Sequence, residues 1–84
     1  MMKIKVLGPG CAKCRKLEQT VRDAVNELGI DAEIEDIKDI MKIMEYPILT
    51  TPGLVINDKV VCSGHVPTKA EICSYIDTAL HNEE

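Results

Sequence analysis

Two cysteines stand two residues apart in Gly8-Pro9-Gly10-Cys11-Ala12-Lys13-Cys14. An apolar run, Met2 to Leu7, leads in, and a long amphipathic stretch follows. Strand, loop, then helix places Cys11 at a helix N-terminus. Unpaired backbone N–H groups and the helix dipole favour negative charge there. A thiolate is such a charge, so Cys11 should ionise more readily than an ordinary thiol. Cys14, one turn further in, should be the more buried and able to attack a disulfide on Cys11. Gly8-Pro9-Gly10 puts no bulky side chain in the way of a partner's sulfur. The chemistry on offer is thiol–disulfide exchange. The same pair is also a ready soft-metal site. Two inert thiols would be the plainest alternative, and their loop-to-helix placement argues against it.

The rest of the chain must hold this corner. Ile4 and Val6 alternate with Lys3 and Lys5, which predicts a strand with one well-buried face. The first helix should run from about Cys11 to Leu28, with Cys14, Leu17, Val21, Ala24, Val25 and Leu28 on one face and Gly29 as its stop. Ala32 to Asp36 should form a second strand. Asp36 should cap a second helix carrying Ile37, Ile40, Met41 and Met44 inward and stopping at Tyr46, ahead of Pro47. Ile48 to Gly53 reads as a loop. Leu54–Ile56 and Val60–Cys62 flank Asn57-Asp58, a hairpin signal. Thr68 and Glu71 have capping-box spacing. The last helix should turn Ile72, Tyr75, Ile76, Ala79 and Leu80 inward and fray over residues 81–84. The order is β-α-β-α-β-β-α. Its first two strands should be parallel, in a four-stranded mixed α/β sheet with helices packed on its faces.

Composition narrows the function. Eighty-four residues suit one domain, 1–84. The 45% hydrophobic content is enough for a globule, and with only Tyr46 and Tyr75 as aromatics the core must be aliphatic. A net charge of −4 with dispersed lysines disfavours nucleic acid and anionic membranes as partners. The N-terminal apolar run is short and broken by Lys3 and Lys5. It is neither a signal peptide nor a membrane span, so a cytoplasmic location is expected. In a reducing compartment four cysteines are for catalysis or metal rather than stapling.

Cys11-Ala-Lys-Cys14 after the first strand, with Tyr46-Pro-Ile-Leu-Thr-Thr51-Pro52 before the hairpin, resembles the thioredoxin superfamily. The length is that of a glutaredoxin. The nearest likeness is to the small thioredoxin-like redox-active disulfide proteins of archaea and anaerobes. The resemblance implies a thioredoxin fold with sheet order 2-1-3-4, the third strand antiparallel to the others, and helices on both faces. It implies that Pro52 is a cis-proline facing the dithiol. It also implies that Thr51 and Pro52, with Gly10 and Lys13, meet the substrate chain.

The departures are specific. Gly10 stands where thioredoxins carry Trp, and Ala12-Lys13 replaces Gly-Pro between the cysteines. Lys5 sits six residues before Cys11, where thioredoxins bury an Asp. Ser63-Gly64-His65-Val66 lacks the double glycine and acidic pair with which glutaredoxins hold glutathione, which favours protein dithiol partners.

Other residues have plain roles. Cys62 and Cys73 read as small core residues, with a second redox pair as the minority alternative. His65 should face solvent and His81 belong to the tail. Met41 and Met44 should be core, and Tyr46 should pack over the second helix. Lys13 is either a solvated helix residue or a charge that helps the thiolate.

The expectation is a cytoplasmic, monomeric protein dithiol–disulfide oxidoreductase. Cys11 attacks, Cys14 resolves, and no cofactor or metal takes part. Its partners would be protein disulfides and an external thiol reductase. The rivals are a soft-metal-binding module and a thiol-state sensor using the same C-x-x-C. Copper-chaperone-like domains also place such a motif after a first strand, but their order is β-α-β-β-α-β. A structural zinc site needs two more ligands, and Cys62 and Cys73 are poorly spaced to supply them.

Overall fold

The computed structural model describes residues 2–48 and 50–82. Leu49, within the expected loop, and Glu83 and Glu84, in the expected frayed end, lie outside the described residues. The elements are β1 (Met2–Leu7), α1 (Ala12–Leu28), β2 (Ala32–Ile37), α2 (Ile40–Ile43), β3 (Gly53–Ile56), β4 (Lys59–Ser63) and α3 (Lys69–Asn82). They form one four-stranded sheet in the order β2-β1-β3-β4. β1 and β2 are parallel, while β3 is antiparallel to both β1 and β4. Order and directions match the expectation.

Each face of the sheet carries its own core. Met2, Ile4 and Val6 of β1 pack with Leu54, Ile56 and Cys62 under Leu17, Val21 and Ala24 of α1 and Ile72 and Ile76 of α3. On the other face Leu7, Ile37 and Val55 pack with Ile43, Tyr46 and Ile48. The β3–β4 register shifts between Leu54 and Val55. Val61 and Cys62, adjacent in sequence, therefore both turn toward the α1–α3 side, as a bulge permits. The hairpin turns on Asn57 and Asp58, both at positive φ (50° and 68°), which these two residue types tolerate. Asn57 also ties the turn to β1: its Oδ1 accepts from the Lys3 N–H at 3.0 Å and its N–H donates to the Lys3 carbonyl at 2.8 Å.

The second helix differs from expectation. β2 continues through Ile37, whose side chain is buried in the core on the α2 face and whose carbonyl accepts from the Gly8 N–H. Asp36 is therefore a strand residue opposite Val6, and its carboxyl meets Glu18 of α1. The cap is Asp39, which accepts from the Met41 N–H at 2.9 Å. The helix is only one turn long, so one residue of it, Ile43, reaches the core. Ile40, Met41 and Met44 stand 54%, 72% and 71% exposed, against the expectation that they pack inward. Leu28 and Leu80, near helix ends, are also exposed. α3 runs on through His81 and Asn82 rather than fraying at His81. Its capping box forms as expected: Thr68 Oγ1 accepts from the Glu71 N–H, and the Glu71 carboxylate from the Thr68 N–H.

Candidate active site: a dithiol at a strand-to-helix corner

Cys11 is the N-cap residue of α1, in extended backbone (φ −69°, ψ 170°), and its side chain caps nothing. Its carbonyl accepts the first helical bond, from the Arg15 N–H. The sulfur stands at a helix start whose backbone donors have no earlier partners. Gly10 makes this entry possible: its φ of 95° lies in the left-handed region, and a Cβ there would meet open space. Cys11 is exposed and Cys14 is buried. Their Sγ atoms lie 2.8 Å apart.

That contact divides the protons unequally. The hydrogen bond from Cys14 is the first cause that lowers the Cys11 thiol below its ordinary value, and the Cys14 and Lys13 backbone N–H groups add to it. Lys13 thus contributes through its amide, while its side chain is exposed. Burial, then the Cys11 sulfur, pushes the Cys14 thiol up. The pair is thus asymmetric: the outer thiol is shifted toward ionisation and the inner one away from it.

The Thr51–Pro52 peptide is cis, and Pro52 is fully buried. Both Cys14 and Thr51 adjoin the place a Cβ on Gly8 would take. The strand end, the dithiol and the Thr51 loop therefore converge. Behind them the Gly64 N–H donates to the Pro52 carbonyl at 2.9 Å, tying the loop after β4 to the site. A groove of about 430 Å³ lined by Ile40, Ile43, Met44, Ile48, Thr50 and Thr51 opens beside this loop.

Lys5 does not stand in for the missing acid. Its Nζ donates to the Tyr46 hydroxyl at 3.1 Å and pairs with Asp58, of the hairpin turn, at 3.8 Å. Tyr46 packs beside Ile43 in the core on the α2 face, as expected, and also accepts this bond. Cys62 is buried and His65 exposed, as expected, yet the two touch: Cys62 Sγ lies 3.5 Å from His65 Nε2. Burial, with the Glu71 charge behind it, pushes the Cys62 thiol up. Cys73 is only half-buried, at the rim of the core, where its thiol donates to Glu27 Oε2 at 3.8 Å. Two features escaped sequence reasoning: the steric role of Gly8 and the outward face of Ile40, Met41 and Met44. A glycine ending an apolar strand was the signal for the first.

The thioredoxin-domain family model matches residues 2–77. A thioredoxin of Methanothermobacter thermautotrophicus is 47% identical over 72 residues, 86% of this chain and 94% of the relative. One from Methanocaldococcus jannaschii is 40% identical over 81 residues, 92% of this chain and 93% of the relative. Among solved structures, the germline-specific thioredoxin Deadhead of Drosophila melanogaster superposes with a TM-score of 0.66 over 92% of this chain and 79% of its own, at 14% identity. That likeness is one of fold. No helix among the described residues is long and apolar enough to cross a membrane. With an exposed thiol at a helix start, a buried one beside it and the family match across the sheet, the chain belongs to the thioredoxin family of thiol–disulfide oxidoreductases.

Proposed function

We propose that the chain reduces protein disulfides in the cytoplasm, with Cys11 as attacking and Cys14 as resolving thiol. The observation that carries this is the asymmetry of the pair: one sulfur exposed and lowered, its neighbour buried and raised, 2.8 Å away. Cys11 thiolate attacks one sulfur of a substrate disulfide. A Cys11–substrate bond forms, and the other substrate sulfur leaves as thiolate. Cys14 then attacks Cys11, and its proton ends on a released substrate sulfur. The Cys11–Cys14 bond forms and the second substrate sulfur leaves. The electron pair has passed from the dithiol to the substrate, and an external thiol reductase must restore it.

Thr51 and Pro52, with Gly10 and Lys13, are the residues we assign to the substrate chain. Proline offers no N–H, so Thr51 is the residue to exchange backbone hydrogen bonds with an added strand. The groove beside Thr51 is lined mainly by Ile40, Ile43, Ile48 and Met44, an apolar surface that suits apolar side chains of a partner.

The test is turnover. The wild-type chain should reduce a protein disulfide repeatedly with dithiothreitol as recycling reductant, and Cys11→Ser and Cys14→Ser should each abolish turnover. Stoichiometric, tightly held zinc or copper in the purified chain, with no reductase activity, would favour the metal-binding alternative. Among the described residues no third His, Cys, Asp or Glu joins the pair to make a metal cluster.

A further inference from the structure

We propose that Gly8 is a positioning residue for the resolving step: its missing side chain is the space in which the Cys14 thiol sits. This rests on the assignment of Cys14 as resolving cysteine. Gly8 follows β1, and its N–H donates to the Ile37 carbonyl at 2.9 Å, so the parallel ladder holds its backbone. It is buried and is not among the glycines at positive φ. Conformation therefore does not require glycine here, in contrast to Gly10 and Gly29, which are left-handed and face open space. Volume does require it. A Cβ on Gly8 would overlap Cys14 Sγ, lie 3.2 Å from Cys14 Cβ and touch the Thr51 Cβ at 3.9 Å. The space at position 8 is taken by Cys14 of the first turn of α1, with Thr51 in van der Waals reach.

Any side chain at position 8 must displace the Cys14 sulfur, because the backbone is pinned by Ile37. The displaced sulfur loses its line to Cys11. Attack by Cys11 needs only the exposed outer sulfur once it is a thiolate, so the two steps are compared at alkaline pH, where the lost Cys14 hydrogen bond no longer sets the thiolate fraction. Resolution needs Cys14 to reach Cys11, form the intramolecular bond and release the substrate thiolate. Gly8→Ala should therefore separate the two steps.

Equimolar chromogenic aromatic disulfide supplies the probe. Release of the coloured thiolate reports attack by Cys11, and mass spectrometry after acid quench reports the lifetime of the mixed disulfide. In G8A the first release should stay within about threefold of wild type, while the mixed disulfide should persist about tenfold longer or more. Equal lifetimes in wild type and G8A would overturn the inference. A wild-type mixed disulfide that never resolves would instead sink the assignment of Cys14, and the inference with it. The second arm measures stability. The loss in unfolding midpoint caused by Gly8→Ala should largely vanish in a Cys14→Ala background, where the overlapping sulfur is gone. Equal losses in both backgrounds would overturn the proposal. If G8A alone does not fold, a folded G8A/C14A double variant supports the proposal and an unfolded one overturns it.

Discussion

Cys14 Sγ, buried one turn into α1, lies 2.8 Å from Cys11 Sγ at the exposed N-cap. This contact is the first cause of the lowered Cys11 thiol, so it should be visible in the pH dependence of alkylation. The rate follows the thiolate fraction, which rises with pH through the Cys11 pKa. The inflection should therefore fall below that of a free thiol. Cys14→Ala removes the hydrogen bond and should move the inflection up, because the backbone donors alone remain. An inflection at the free-thiol position in the wild type, or no upward movement in the variant, would remove the basis for an activated Cys11.

The roles of the two sulfurs can be trapped apart. Cys14→Ser cannot resolve, so its mixed disulfide with a protein substrate should accumulate on a non-reducing gel. Cys11→Ser should trap far less, since the remaining thiol is buried and raised. Equal trapping by both variants, or the reverse order, would contradict the assignment.

Much of this arrangement was legible because local chemistry and tertiary structure agree. Asn57-Asp58 names its own turn, since both residues accept the positive φ that the hairpin demands. Thr68 and Glu71 announce the start of α3 through reciprocal hydrogen bonds. The region after β2 was not legible, for a physical reason. Ile37 and Ile40 are three apart, a spacing that fits one helix face. Ile37 instead ends the strand because pairing with Leu7 and the bond from Gly8 continue the ladder one residue further. The helix then starts late, at Asp39, and is too short to bury Met41 and Met44. The Gly8–Cys14 fit was invisible for another reason: it is a matter of volume between two elements, and no periodicity records it.

Cys62 and Cys73 should be dispensable for chemistry. Burial pushes both thiols up, away from thiolate reactivity. Replacing both with Ala should leave turnover unchanged. Cys62 fills core volume, so its loss should cost on the order of 1 kcal/mol of stability. The His65 contact sharpens this test: if Cys62 took part in exchange, the double variant would lose turnover as Cys11→Ser does.

The Thr68 cap offers a check on α3 independent of the redox site. Its hydroxyl accepts from the Glu71 N–H at 3.1 Å, which Ala cannot do. Thr68→Ala should lower stability by about 1 kcal/mol in denaturant unfolding, with alkylation of Cys11 unaltered. A neutral result would mean that water satisfies that donor as well as the hydroxyl does.

The groove beside Thr51 makes a prediction about which substrates feel the surface. Ile40 and Met44 line it, and both are more than half exposed, so truncating them removes little from the core. A protein substrate that lays apolar side chains there loses contact when they become Ser. A small linear disulfide such as bis(2-hydroxyethyl) disulfide touches only the dithiol and should not notice. Each substitution should therefore lower kcat/KM for a protein disulfide about fivefold, from ~1 kcal/mol of apolar contact, with the small disulfide unaffected. The loss should fall mainly on KM, since the reacting sulfurs are unmoved. A parallel loss with both substrates would place the effect in the dithiol rather than the groove. No loss with either would mean that partners approach from the other side of Cys11, over Gly10 and Lys13.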